Sequence, residues 1–171
     1  NGVSERYFIH EGDLRDPRLL GGEGPFDLVL GSPPYWPLGA RSEAEHPQAI
    51  PARLEVRGTI ADYARAAARL LAPGGLFACV FPLDQVERAQ AAYGEAGLAL
   101  IQRQDVLFKE GEAYGIALFA GMRPGDLPEQ FLTEASLPVL PEPLVIRSAE
   151  GRFTPRFALV RLAMGFPPGL V

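Results

Sequence analysis

Two short strings carry the side chains best suited to chemistry: Ser32-Pro33-Pro34-Tyr35-Trp36 and Gly12-Asp13-Leu14. Adjacent prolines restrict the backbone and remove two N–H groups, so neighbouring carbonyl oxygens can face a ligand without competing donors. The Ser32 hydroxyl can accept a hydrogen bond, and Tyr35 offers a flat face on which a ring can stack. That combination suits a planar ring bearing an amino group. Hydrogen bonds accepted from the amino N–H groups would draw its nitrogen toward tetrahedral geometry and expose the lone pair to an electrophilic methyl group. Positioning and electrostatics then carry the transfer without a strong general base. The competing reading is a rigid turn with an aromatic ring packed over a strand end. Placement directly after the hydrophobic run Phe26–Leu30 favours chemistry. Asp13 offers a carboxylate to a second amino group, and the Leu14 backbone could address ring nitrogens. Taken alone, an Asp after Gly is an ordinary turn residue.

The elements that must position these strings follow from periodicity. Residues 6–11 alternate and predict a strand ending at Gly12-Asp13; Phe26–Gly31 predicts a short buried strand. A polar, proline-rich stretch from Ser32 to Gly58 has no period, and connections that long are uncommon unless functional. Thr59 is placed to cap a helix whose apolar positions run from Ile60 to Leu71, and Pro73-Gly74-Gly75 stops it. Leu76–Phe81 reads as a buried strand, followed by a helix capped by Asp84 and ending near Gly97. Leu98–Phe108 and Ala113–Gly121 read as an antiparallel hairpin. An irregular stretch leads to a short strand at Leu144–Arg147 and a final helix over Pro155–Met164. The pattern is that of one α/β domain with a mostly parallel sheet and a C-terminal antiparallel hairpin. In such sheets ligands sit beyond the carboxyl ends of strands, where both strings fall.

Composition narrows the class. With 171 residues, 47% of them apolar, the chain suits a single domain with a real core. No apolar run nears the ~18–20 residues that span a bilayer, so no membrane partner is expected. The start is no signal peptide, and the single Cys79 excludes an internal disulfide, which together point to a cytoplasmic protein. His10 and His46 lack ligand-spaced partners, so no metal is expected. The net charge of −5 gives no global attraction to nucleic acid; any such binding must be local. Arg41, Arg53 and Arg57 in the long loop could reach phosphates. Arg147, Arg152, Arg156 and Arg161 form a denser group, a basic edge of the kind that tracks a phosphate backbone.

The run Phe26–Leu30 followed by Ser32-Pro33-Pro34-Tyr35 resembles the catalytic motif of amino-group methyltransferases, written [Asn/Asp/Ser]-Pro-Pro-[Tyr/Phe/Trp]. Ala52-Arg53, the turn Leu70-Leu71-Ala72-Pro73-Gly74-Gly75 and the block Leu144-Val145-Ile146-Arg147 extend the likeness along nearly the whole chain. In these blocks it resembles the bacterial family typified by the tRNA adenine-N6 methyltransferase acting beside the anticodon of valine tRNA. The resemblance implies a Rossmann-like class I methyltransferase sheet, S-adenosylmethionine as donor, and adenine N6 in tRNA or other structured RNA as acceptor. Carried over residue by residue, Ser32 stands at the amino-binding position and Tyr35 at the base-stacking position, with Pro33 and Pro34 completing the catalytic motif. Gly12, Asp13 and Leu14, with Ser32, stand on the cofactor side. Arg53, Arg57, Arg147 and Arg152 are the residues expected against RNA.

The family has Asn where this chain has Ser32, and Ser-Pro-Pro-Tyr-Trp also resembles cytosine-N4 methyltransferases of DNA. That alternative stays open, as does a catalytically silent RNA-binding module of the same fold. A Gly-rich cofactor loop and an acidic residue for the ribose hydroxyls are also absent from the string. The chain is therefore expected to be the C-terminal two-thirds of the fold, with the cofactor loop preceding Asn1.

Overall fold

Thr59 begins a helix because its side chain and that of Asp62 satisfy each other's backbone. The Thr59 N–H donates to Asp62 Oδ2 at 2.8 Å, and the Asp62 N–H approaches Thr59 Oγ1 at 3.4 Å. In the computed structural model, which describes residues 2, 4–39, 49–129, 131 and 137–169, the helices are α1 (Ala49–Arg53), α2 (Ile60–Leu70), α3 (Val86–Glu95) and α4 (Pro155–Ala163). The strands are β1 (Phe26–Gly31), β2 (Leu71–Pro82), β3 (Ala99–Lys109), β4 (Gly115–Met122) and β5 (Leu144–Arg147). They form one sheet in the order β1-β2-β4-β3-β5.

β1 runs parallel to β2, and β5 parallel to β3, while β4 is antiparallel to both its neighbours. Four strands thus point one way and β4 alone is reversed. This is the expected α/β sheet with its hairpin, the hairpin lying inside the sheet rather than at an edge. Strand β2 starts as soon as α2 ends. Pro73-Gly74-Gly75, expected to precede the strand, instead forms an irregularity within it, where the register to β1 slips between Phe26 and Leu28. Gly75 is needed there: a Cβ would lie 2.8 Å from the Phe26 carbonyl oxygen. Arg123, just beyond β4, closes the end of α2. Its guanidinium donates to the carbonyls of Ala68, Leu71 and Ala72 at 2.7–3.0 Å, groups that a helix C-terminus leaves without partners.

Helices α2 and α3 cover one face of the sheet. Alternate residues of β2 and β4 (Phe77, Cys79 and Phe81; Ala117 and Phe119) point into that layer and are buried. Tyr93 of α3 stacks on Phe77 with centroids 5.1 Å apart, and its hydroxyl reaches the carbonyls of Phe77 and Phe119 at 3.3 and 3.4 Å. Cys79 lies in this core, where burial pushes its thiol pKa up to about 11.

Three expectations are corrected. Residues 7–11 form no strand: a short 3-10 turn at Ser4–Arg6 gives way to irregular chain, with Tyr7, Phe8 and Ile9 at 69–84% exposure. Alternation supplies a face, but a strand needs a hydrogen-bonded neighbour. β1 is not fully buried, since it is an edge strand whose Leu28 and Leu30 are exposed. Asp84 does not cap α3; it sits in a 3-10 turn, and Gln85 occupies the N-cap position without a side-chain hydrogen bond. The unpatterned stretch after Ser32 also contains the short helix α1. Arg41 and His46 lie outside the described residues. No helix among the described residues is long and apolar enough to cross a membrane.

Candidate acceptor and cofactor site

The motif Ser32-Pro33-Pro34-Tyr35 leaves the carboxyl end of β1 and turns over the ends of β1 and β2. It can lie close because Gly31 lacks a side chain: a Cβ there would stand 3.1 Å from the Tyr63 ring and 3.3 Å from Phe77. Pro33 and Pro34 are buried and Ser32 is exposed. Tyr35 packs its ring edge-on against Phe81, with centroids 5.6 Å apart at 82°. Partial burial raises the Tyr35 phenol pKa, and the neighbouring Ser32 hydroxyl opposes that rise. The exposed Ser32 oxygen has lone pairs that can accept from an amino N–H.

The loop is stitched to a second segment. The N–H groups of Tyr35 and Trp36 both donate to the Arg53 carbonyl at 3.1 Å, and the Glu55 N–H donates to the Trp36 carbonyl at 2.9 Å. Trp36 and Leu54 form an isolated parallel bridge. Arg53 therefore serves the site through its backbone, while its side chain is exposed at the end of α1.

A cavity of about 730 Å³ brings the Gly12-Asp13-Leu14 string against one residue of the second string, Pro34. Gly12, Asp13 and Leu14 form one wall; Pro34, Tyr63 and the segment carrying Arg57 form the rest. This is within the range of small-molecule and cofactor sites. Asp13 does not stand free. Arg15 grips its carboxylate at two points, Nε to Oδ1 at 2.9 Å and Nη2 to Oδ2 at 2.5 Å, and this hydrogen-bonded pairing holds the Asp13 pKa down at about 2. The Leu14 carbonyl receives Arg69 of α2 at 3.0 Å, which ties this wall to the domain. Among the described residues no group of three His, Cys, Asp or Glu side chains comes together as a metal site.

The C-terminal arginines lie elsewhere. Arg147 ends β5, at the opposite edge of the sheet from β1 but at the same, carboxyl end. At about 4.8 Å per strand step, four steps put it roughly 19 Å away across the sheet. Its guanidinium donates to the Gly151 carbonyl at 2.7 Å and lies 4.5 Å from the Phe153 ring centroid. Arg161 covers the same ring at 4.8 Å, and Arg156 donates to the carbonyls of Glu142 and Pro143. Arg152 is exposed, with Glu150 in its field. So Gly12, Asp13, Leu14, Pro34 and Arg57 meet at one cavity; Ser32, Pro33, Tyr35 and Arg53 stand beside it without lining it, and Arg147 and Arg152 lie at the other edge of the sheet. The sequence reading passed over Arg15, Glu55 and Arg88, the last two of which meet beside Tyr35. For Arg15 the local string Asp13-Leu14-Arg15 held a signal; for Glu55 and Arg88 there was none.

No family model matches the chain. A 4-amino-L-phenylalanine/4-methylamino-L-phenylalanine methyltransferase from Streptomyces pristinaespiralis is 47% identical over 76 residues, which is 40% of this chain and 25% of that protein. A predicted O-methyltransferase from Agrobacterium tumefaciens superposes with a TM-score of 0.62 at 17% identity, over 96% of this chain and 65% of that one. A candidate DNA modification methylase from Thermus thermophilus superposes at 0.46, with 19% identity over 91% of this chain and 73% of that one. That likeness is too loose to carry an argument. The chain thus spans a quarter of the curated relative's length and just under two thirds of the Agrobacterium structure. Strand order, helix placement and the Agrobacterium superposition agree: the chain has the α/β, Rossmann-like methyltransferase fold.

Proposed function

We propose that this chain carries the acceptor side of an S-adenosylmethionine-dependent N-methyltransferase whose acceptor is an amino group on a planar aromatic ring. The observation that carries the reading is the cavity that both Asp13 and Pro34 line, with Pro34 just beyond the carboxyl end of β1. What S-adenosylmethionine supplies when bound is an electrophilic methyl group on sulfonium sulfur. The cavity's volume and its exposed carboxylate fit such a ligand, with Asp13 to receive an amino group and the Gly12 and Leu14 backbone beside it. On the acceptor side, Ser32 accepts an amino N–H, the proline pair leaves nearby carbonyls without competing donors, and Tyr35 sets the plane of the ring.

In its finer form the reading is adenine N6 in tRNA or other structured RNA, with cytosine N4 in DNA as the competing base. The C-terminal blocks support adenine, the motif being shared with cytosine-N4 enzymes, and an arginine group at the same end of the sheet suits a phosphate-bearing partner. A second reading is favoured by the Streptomyces relative, whose substrate carries its amino group on a benzene ring. An aniline nitrogen and adenine N6 are both conjugated to a ring and make the same demand on Ser32 and Tyr35. The test is transfer of a labelled methyl group to unmodified tRNA, to adenine- and cytosine-containing oligonucleotides and to 4-aminophenylalanine. Label on a ring amino group is the expected result. Label on phenolic oxygen alone, with every amino-bearing ring left unmethylated, would overturn the proposal.

A further inference from the structure

Arg88 lies on α3, outside both chemical strings, yet its guanidinium meets the loop after β1. Nη2 donates to Glu55 Oε1 at 2.5 Å. Nη1 donates to Gln85 Oε1 at 2.5 Å and makes a longer, 3.4 Å approach to the Tyr35 carbonyl. The same guanidinium stands 5.6 Å from the Phe81 centroid, the ring against which Tyr35 packs. The Glu55 side chain is only 8% exposed and that of Arg88 38%. A carboxylate buried so far needs a partner, and even when paired adds little net stability against its desolvation. What such a pair does supply is a defined geometry. Here it fastens to α3 a loop that is already laced to the 53–55 segment by three backbone hydrogen bonds.

We infer that the Arg88–Glu55 pair is the positioning clasp of the acceptor loop, setting where the Tyr35 ring and carbonyl stand relative to the cavity walled by Pro34. This rests on reading Ser32–Tyr35 as the acceptor site. Neither residue reaches the cavity; both act through Tyr35 and Trp36, so they are positioning residues. If the clasp opens, the loop and the 53–55 segment lose their attachment to α3, and the backbone lacing between them, no longer braced, opens more often. Alignment of the acceptor nitrogen then suffers before cofactor binding does.

Arg88→Met keeps the aliphatic stem, and Glu55→Gln keeps the shape while removing the charge. The first readout needs no reaction. Trp36 is the chain's single tryptophan and sits in the clasped loop. In both variants acrylamide quenching of its fluorescence should rise about two-fold, and exchange of the Tyr35 and Trp36 amides should accelerate about ten-fold or more, with α3 amides unchanged. The second readout uses whichever acceptor the protein methylates. Acceptor kcat/KM should fall about ten- to a hundred-fold, cofactor Kd should stay within about two-fold, and Arg88→Lys should recover part of the loss. A folded variant with unchanged quenching and exchange overturns the clasp, whatever the protein methylates. A loosened loop with unchanged acceptor kcat/KM overturns its positioning role. Failure of the unmutated protein to methylate any ring amino group would instead overturn the functional reading, and the loop measurements would still decide the clasp. Should Arg88→Met fail to fold, the milder Glu55→Gln carries both readouts.

Discussion

Arg15 and Asp13 form a two-point ion pair at the mouth of the cavity, two residues apart in sequence and both open to solvent. Because the pairing depresses the Asp13 pKa to about 2, whatever it contributes is fully present above the ordinary carboxylate value of 3.8 and is lost as pH falls through about 2. Cofactor binding should therefore show no titration from Asp13 near neutrality. Carboxyl NMR should place the Asp13 midpoint near 2, and Arg15→Ala should return it toward 3.8. A midpoint unmoved by that substitution would show that Arg15 is not the cause.

Tyr35→Ala removes the stacking face and should cost ~1–3 kcal/mol in acceptor kcat/KM, the usual value of one ring contact. Ser32→Ala should lower kcat while sparing cofactor affinity more than Asp13→Ala does. Steady-state kinetics with calorimetry separates the two effects. Normal rates in both motif variants would remove Ser32 and Tyr35 from the site.

Arg123→Met should destabilise the fold without touching the site. The side chain gives charge-assisted hydrogen bonds to three carbonyls at the end of α2, and its loss leaves them to water or unsatisfied. Such bonds are worth ~1.5–3 kcal/mol each when buried; partial exposure here suggests a total of about 1–3 kcal/mol. Urea unfolding measures it. A change within experimental error would mean that water replaces the guanidinium at no cost.

For RNA, Arg152 is a cleaner probe than Arg147. Arg147 is held by the Gly151 carbonyl and the Phe153 ring, so Arg147→Ala should lower stability as well as any affinity. Arg152→Ala should leave stability unchanged and, if RNA is the partner, flatten the slope of log affinity against log salt by about one unit. An unchanged slope would move the phosphate contact to the segment carrying Arg57.

Much of this was legible in the chain because the signals are local. The Thr59 cap, the apolar spacing from Ile60 and the turn between β3 and β4 each lie within a few residues. The Ser32–Tyr35 string was legible for the same reason. What failed to show was anything decided by a distant partner. Residues 6–11 have the alternation of a strand and, among the described residues, no neighbour to pair with. Leu28 and Leu30 look like core residues until β1 is seen to be the edge. Arg88 and Glu55 carry no pattern at all, since their meeting depends on how α3 docks against the loop. Arg147 and Arg161 meet over the Phe153 ring, and side-chain composition could not reveal that most of the group is spent on nearby carbonyls and rings.

The position of β4 has a consequence for the order of assembly. It is the middle strand of five and the only reversed one, yet it arrives in sequence after both β2 and β3, which flank it. β2 and β3 therefore have no partner in each other and can join only through a strand made later. The β3–β4 hairpin closes over a short turn, an event of microseconds, whereas β1–β2 must bridge the long connection through α1 and α2. The topology thus combines one local hairpin with one long-range parallel pair, and the β2–β4 pairing is what joins them into one core. Phe77, Tyr93 and Phe119 belong to that seam. Tyr35 touches that seam through Phe81, which pairs with Ala117 of β4, so the loop after β1 leans on the same joint that holds the two halves together.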